Sequence, residues 1–97
     1  MRTLSTSAVA AALILEQGGP IYGKTLAVWI TQSGLTALGS RTCYPSRSLE
    51  AILSQAVIDG RKVFTRSNDG EYDLCDSEKA RREPEIQIAL LKLAPTA

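Results

Sequence analysis

Glycine and proline residues divide this chain into short segments, and the order of those segments is what most limits its fold. A first apolar, alanine-rich helix is predicted to begin within Ser5–Ser7 and to end at Gly18-Gly19-Pro20. Its apolar positions occupy more than one side, which is typical of a helix that packs on several neighbours. A second helix is predicted over residues 23–33 and a third over residues 45–59, because a glycine follows each of them.

A β-hairpin is predicted over residues 61–74, directly after the third helix. Tyr72 and Leu74 alternate with polar residues, as in a strand with one buried face, and Asn68-Asp69-Gly70 is a hairpin turn sequence. A short extended segment at residues 20–22 is a candidate third strand that could pair with the hairpin. Three helices followed by such a hairpin is the element order of a winged helix-turn-helix, an α+β fold that is mostly α.

We expect the winged helix to occupy residues 1–75 and residues 76–97 to form a C-terminal extension. The extension is charged as far as Pro84 and apolar afterwards. Its apolar residues fit the spacing of a strand and also that of a helix, so periodicity does not decide between the two. The apolar part either covers the first helix of its own subunit or binds another chain, which includes a second copy of itself. The predicted partner-binding residues are Ile86, Ile88, Leu90, Leu91 and Leu93.

The net charge of +1 conceals an uneven distribution of charge. Residues 1–66 carry seven basic and three acidic side chains, whereas residues 67–97 carry four basic and seven acidic ones. Five of the basic residues lie between Arg41 and Arg66, around the third helix and the start of the hairpin. Such clustering suits contact with phosphates, and scattered solubilising charge is the alternative interpretation.

Several functional classes are disfavoured by the composition. The chain has no histidine and two cysteines, which excludes a zinc finger and leaves no histidine to serve as a general base. There is no nucleophile elbow and no phosphate-binding P-loop, so we expect no catalysis, no metal and no cofactor. No apolar run approaches the ~20 residues that span a bilayer, and Met1–Gln17 is better explained as a helix than as a signal peptide. We expect a cytoplasmic location, or one with DNA in the nucleoid or nucleus.

Several short motifs occur together in an order that is more specific than any one of them. They are the run from Ala12 to Leu26 with its Gly-Pro-Ile corner, Gly34-Leu35, Pro45, Ser48–Ser54, Gly60, Phe64 and Gly70–Leu74. Their order and spacing resemble HARE-type helix-turn-helix domains over roughly residues 8–75. In that family a threonine often directly precedes the proline that opens the third helix, whereas here Cys43-Tyr44 separates Thr42 from Pro45.

The resemblance implies a winged helix of the kind found in Asx-like chromatin regulators, restriction endonucleases and the delta subunit of bacterial RNA polymerase. Such domains are regarded mainly as DNA-binding, although the delta-subunit members chiefly bind protein. Membership of the family would therefore not fix the ligand.

We predict a non-enzymatic DNA-binding regulator whose third helix, residues 45–59, enters the major groove while the wing, residues 61–74, contacts the backbone. The residues expected to face the bases are Ser46, Arg47, Glu50, Ser54 and Gln55. The residues expected to hold phosphates are Lys24, Arg41, Arg61, Lys62 and Arg66. The alternative is a protein-interaction module that binds and modulates a larger enzyme complex, which the near-neutral charge and the apolar extension favour.

Overall fold

The computed structural model describes residues 5–33, 45–58 and 60–93, and within those ranges the chain forms five helices and two small sheets. The helices are α1 (Thr6–Gln17), α2 (Gly23–Ser33), α3 (Pro45–Gln55), α4 (Ser77–Arg82) and α5 (Pro84–Leu93). The strands are β1 (Ile21–Tyr22), β2 (Val57–Ile58), β3 (Arg61–Lys62), β4 (Phe64–Arg66) and β5 (Glu71–Leu74). The fold is therefore α+β and mostly helical, as the sequence predicts.

Both ends of α1 are fixed by local hydrogen bonds. The hydroxyl of Ser5 accepts the N–H of Ala8 at 3.2 Å, which makes Ser5 the N-cap. At the other end Gly18 adopts a left-handed conformation with φ of 82°, and its N–H donates to the carbonyl of Ile14. The predicted start and stop of this helix are confirmed.

The core is built around α1. Seven of its 12 residues are buried, and four of those seven are alanines: Ala8, Ala10, Ala11 and Ala12. Small side chains let neighbouring helices approach closely, and α1 packs against α2 and α3 as well as α5. The predicted packing of this helix on more than one side is confirmed. The single tryptophan, Trp29 of α2, is half-buried and packs against this core.

The larger sheet has three antiparallel strands in the order β1-β5-β4. Ile21 pairs with Tyr72, so the predicted short strand at residues 20–22 does join the hairpin. Gly70, with φ of 86°, lies in the turn that connects β4 and β5, where a positive φ favours glycine. Its carbonyl accepts the N–H of Gly23 at 3.0 Å and so ties the turn to the start of α2.

The prediction of a third helix to Asp59 was wrong, because α3 ends at Gln55. The β-branched residues Val57 and Ile58 instead form β2, which pairs antiparallel with β3 through a turn at Gly60. Asp59 itself lies outside the described residues. The predicted hairpin over residues 61–74 is consequently divided, with Arg61 and Lys62 in the second sheet and only β4 and β5 forming the longer hairpin.

The C-terminal extension forms two helices. Of the two structures that the spacing of its apolar residues allows, strand and helix, the chain therefore adopts the helix. Asp76 caps α4 by accepting the N–H of Lys79, and Pro84 occupies the first turn of α5. Ile86 and Ala89 are buried against the core around α1. The predicted boundary after residue 75 therefore divides one hydrophobic core. Among the residues described, none of the helices has the length and apolar character needed to cross a lipid bilayer.

Candidate nucleic-acid interface

One side of α3 faces the core and the opposite side is open to solvent. Leu49 and Leu53, four residues apart, are buried, which leaves Glu50, Ser54 and Gln55 exposed. The hydroxyl of Ser54 donates to the carbonyl of Ala51 at 2.9 Å within the helix. Three of the five residues predicted to face DNA bases thus lie on the exposed side of this helix.

An ion pair joins α3 to the β4–β5 hairpin. Nη1 of Arg66 lies 3.0 Å from Oε1 of Glu50, and both side chains are about half exposed. The Arg66 guanidinium also lies 6.0 Å from the centre of the Tyr72 ring. An exposed pair of this kind contributes ~0–1 kcal/mol to stability, so it orients the guanidinium more than it stabilises the fold.

Two neighbouring depressions lie beside this ion pair. One is lined by Lys24 from the start of α2, and the other by Lys62 together with Ser54. Both are also lined by Arg66, Glu50 and Tyr72. Three of the predicted phosphate-binding residues are therefore grouped beside the exposed side of α3.

Arg61 lies further along the same run of surface. It lines a third depression with Lys62, and Lys79 and Asp76 of the C-terminal extension line it as well. The third depression adjoins the second because Lys62 and Cys75 belong to both. Cys75 is an exposed free thiol.

The sheet separates the hairpin's basic and acidic side chains. Arg66 is paired with Tyr72 across the strands and shares its face, which is the face toward α3. Glu71 and Asp73 alternate with Tyr72 on β5 and so lie on the opposite face. Asp69 remains in the turn itself. The acidic residues of the wing reduce its net positive charge. Most of them are thus directed away from α3.

Part of the predicted interface lies outside the described residues. Arg41 belongs to the segment between α2 and α3, which is not described, and the side chains of Ser46 and Arg47 at the start of α3 are likewise outside the description.

Two tyrosines at this surface were not among the residues predicted from the sequence. Tyr22 is 49% exposed and lines the depression that holds Lys24, with Tyr72 beside it. Burial raises the pKa of the Tyr72 phenol, the Glu50 carboxylate raises it further and Arg66 lowers it in part, so Tyr72 stays protonated at neutral pH. The signal for Tyr22 was strand alternation, because a buried Ile21 directs the next side chain outward.

The predicted partner-binding residues divide into two groups. Ile86 is buried and Leu90 and Leu93 are half-buried, so these three residues pack against the core of their own chain. Ile88 and Leu91 are 45% and 78% exposed. Only these two are available to another molecule in this arrangement.

Within the described part of the chain, no group of three or more cysteine and acidic side chains is placed to hold a metal ion. No protein-family model matches the chain, and neither the curated proteins nor the solved structures contain a significant match.

Proposed function

We propose that this chain is a non-enzymatic winged-helix domain that binds double-stranded DNA. The observation that carries the proposal is the grouping of Lys24, Lys62 and Arg66 around the exposed side of α3. Cations that flank an exposed helix can hold two phosphate backbones while the helix meets the base edges between them. Glu71 and Asp73 do not line these two depressions, so the cations there are opposed mainly by Glu50. Glu71 pairs with Tyr22 across the sheet and lies at the edge of the depression that holds Lys24.

The order of elements supports a winged helix. Three helices precede the β4–β5 hairpin, and β1, between the first two helices, pairs with β5. This arrangement is the one expected from the resemblance to HARE-type domains, and we propose that the chain is similar to them. The additional β2–β3 turn and the helices α4 and α5 are features beyond that pattern.

In the proposed complex α3 lies in the major groove and the β4–β5 hairpin lies on the adjacent backbone. Base edges would meet Glu50, Ser54 and Gln55, together with Ser46 and Arg47 at the start of the helix. Phosphates would meet Lys24, Lys62 and Arg66, with Arg61 at one end of the surface and Arg41 from the segment before α3.

The first test compares two double variants that remove the same charge. Arg61→Ala/Lys62→Ala is expected to weaken binding to duplexes of every sequence, because both side chains would contact phosphates. The slope of log affinity against log salt should fall by about 2, or roughly 1 for each lost phosphate contact. Fluorescence anisotropy with a labelled random-sequence duplex at several salt concentrations measures both quantities.

The matched control is Arg81→Ala/Arg82→Ala, which removes the same charge from two neighbouring exposed residues of α4 that line none of these depressions. Equal loss of affinity in the two double variants would mean that net charge, and not this surface, governs binding. Absence of binding by the unaltered protein even at low salt would reject DNA as the ligand.

A second candidate function is protein–protein contact through the exposed face of α5. The partner that binds this face would be a second copy of the chain. Ile88 and Leu91 face away from α1 at helical spacing. Glu85 and Lys92 lie seven residues apart along one flank of the same helix. Oε1 of Glu85 accepts the N–H of Ser5 in the same chain at 2.7 Å, so in an antiparallel two-fold pair of α5 helices its second oxygen would face Lys92 of the other copy.

Leu91→Lys is therefore expected to abolish any self-association, because it places a charge at the centre of that contact. Sedimentation velocity over a range of protein concentrations would detect the change. Gln17→Lys, which adds the same charge at an exposed position at the end of α1, is the control. If the sedimentation coefficient of the unaltered protein equals that of a monomer at every concentration, the proposed dimer is rejected.

A further inference from the structure

The depression at the start of α2 has features that contact with a regular duplex does not explain. Its volume is about 240 Å³, and its main lining residues are Tyr22, Lys24, Glu50, Arg66 and Tyr72, which we call the tyrosine pocket. Pockets for drug-sized ligands begin at roughly 300 Å³, so this one suits a smaller group, such as a single ring with its substituents. It combines an exposed aromatic ring, two cations and one carboxylate.

The ring of Tyr22 lies beside the hairpin turn at Gly70. A Cβ added at Gly70 would lie 3.9 Å from Cε2 and Cζ of the ring, which is ordinary van der Waals distance, so the turn is a close neighbour of the tyrosine. With a positive φ at Gly70, the turn disfavours any larger residue there. The ring is next to the turn and half exposed, so it is accessible for stacking on a planar ligand.

The second ring of the pocket is fixed in a similar way. A Cβ added at Gly23 would lie 3.1 Å from Cε2 of Tyr72 and 3.4 Å from the carbonyl oxygen of Gly70. A side chain at Gly23 would therefore displace either the ring or the turn. Gly23 thus allows the start of α2 to approach both the turn and the Tyr72 ring closely.

The charges of the pocket define the rest of the ligand. Lys24 and Arg66 would attract a phosphate beside the ring. Glu50 uses Oε1 for Arg66, and a carboxylate offers a second oxygen that accepts from an amino group. Cytosine presents such an amino group at N4, whereas thymine has a carbonyl oxygen at the corresponding position and its donor is the ring N3–H, so Glu50 distinguishes the two by the position of the donor.

We propose that the tyrosine pocket binds one unpaired nucleotide of DNA, in a strand that extends beyond a duplex. The base stacks on Tyr22, its phosphate is held by Lys24 and Arg66, and Glu50 accepts from the amino group of cytosine. Stacked bases within a duplex do not reach such a ring, so the pocket is filled at a single-stranded overhang. This inference rests on the proposed DNA binding and adds a preference for the kind of DNA end.

The experiment uses the full chain and three labelled duplexes of identical sequence, one blunt, one with an overhang of four cytidines and one with an overhang of four thymidines. We expect tightest binding to the cytidine overhang.

In Tyr22→Leu the gain from the overhang should disappear, a loss of about 5- to 150-fold, which corresponds to the free energy of stacking one base on an aromatic ring. Tyr22→Phe keeps the ring and should keep the gain. In Glu50→Gln the difference between cytidine and thymidine overhangs should shrink, because an amide no longer offers a charged acceptor.

Far-UV circular dichroism of each variant checks that the fold is unchanged. Equal affinity of the unaltered protein for blunt and overhanging duplexes would overturn the pocket assignment and leave duplex binding intact. A preference for overhangs that survives in Tyr22→Leu would also overturn it, since the nucleotide would then bind elsewhere. Failure to bind any of the three duplexes would overturn the proposed function itself.

Discussion

Replacing Ile86 with aspartate is expected to abolish most of the protein's stability. Ile86 is 4% exposed in α5 and lies in the core around α1. Loss of a buried isoleucine side chain costs about 2–5 kcal/mol, and an unpaired carboxylate in its place adds a desolvation penalty. Because a small domain has a total stability of about 5–15 kcal/mol, one such change removes much or all of it.

Ile88→Asp is the matched control, since it is the same substitution two positions away on the exposed side of α5. It should change the free energy of unfolding by no more than about 0.5–1 kcal/mol. Urea titration followed by circular dichroism and by Trp29 fluorescence measures both variants. A cooperative transition in Ile86→Asp at the midpoint of the unaltered protein would show that residues 1–75 fold without the extension.

The second large effect expected is the salt dependence of DNA binding. With phosphate contacts from Lys24, Arg61, Lys62 and Arg66, the slope of log affinity against log salt should be roughly −3.6, taking about −0.9 per contact. Affinity for a random-sequence duplex would then fall about a hundredfold between 50 and 200 mM salt, as roughly the 3.6 power of a fourfold change. Fluorescence anisotropy with a single salt and constant pH gives the slope directly.

A slope near zero would contradict the proposed surface, because binding without counterion release does not proceed through phosphates. It would favour an apolar contact such as the one proposed on α5, whose strength depends little on salt. A slope much steeper than −4 would require cations beyond these four, and the candidates are Arg41 and Arg47, predicted from the sequence, and Lys79, which lines one depression with Arg61 and Lys62.

The parts of the fold that could be predicted from the sequence depend on local chemistry. Ser5 and Gly18 bound α1 through hydrogen bonds to residues three or four positions away, and Gly70 determines the hairpin turn through its own φ. Such signals need no knowledge of the rest of the chain. The end of α3 was mispredicted because Val57 continues an apolar stripe at helical spacing, while strand pairing with Lys62 decides the outcome.

The parts that could not be predicted depend on contacts distant in sequence. Whether Ile86 belongs to a helix or a strand is settled by its packing around α1, nearly the full length of the chain away. The ion pair between Glu50 and Arg66 spans 16 residues and no local pattern indicates it. The cluster of basic residues could be identified in the sequence. That Arg66 and Asp73 lie on opposite faces of the sheet could be known only from the register of its strands.

The ion pair between Glu50 and Arg66 has a consequence for how long an anion would stay on this surface. An anion that reaches Arg66 meets a guanidinium that already has a carboxylate 3.0 Å from Nη1, and after the anion departs the same carboxylate still compensates the charge. The surface therefore carries its own counterion. This reduces both the free energy gained when an anion binds and the free energy needed to release it. Residence times there should be short, which suits a molecule that samples many sites before it stops at one.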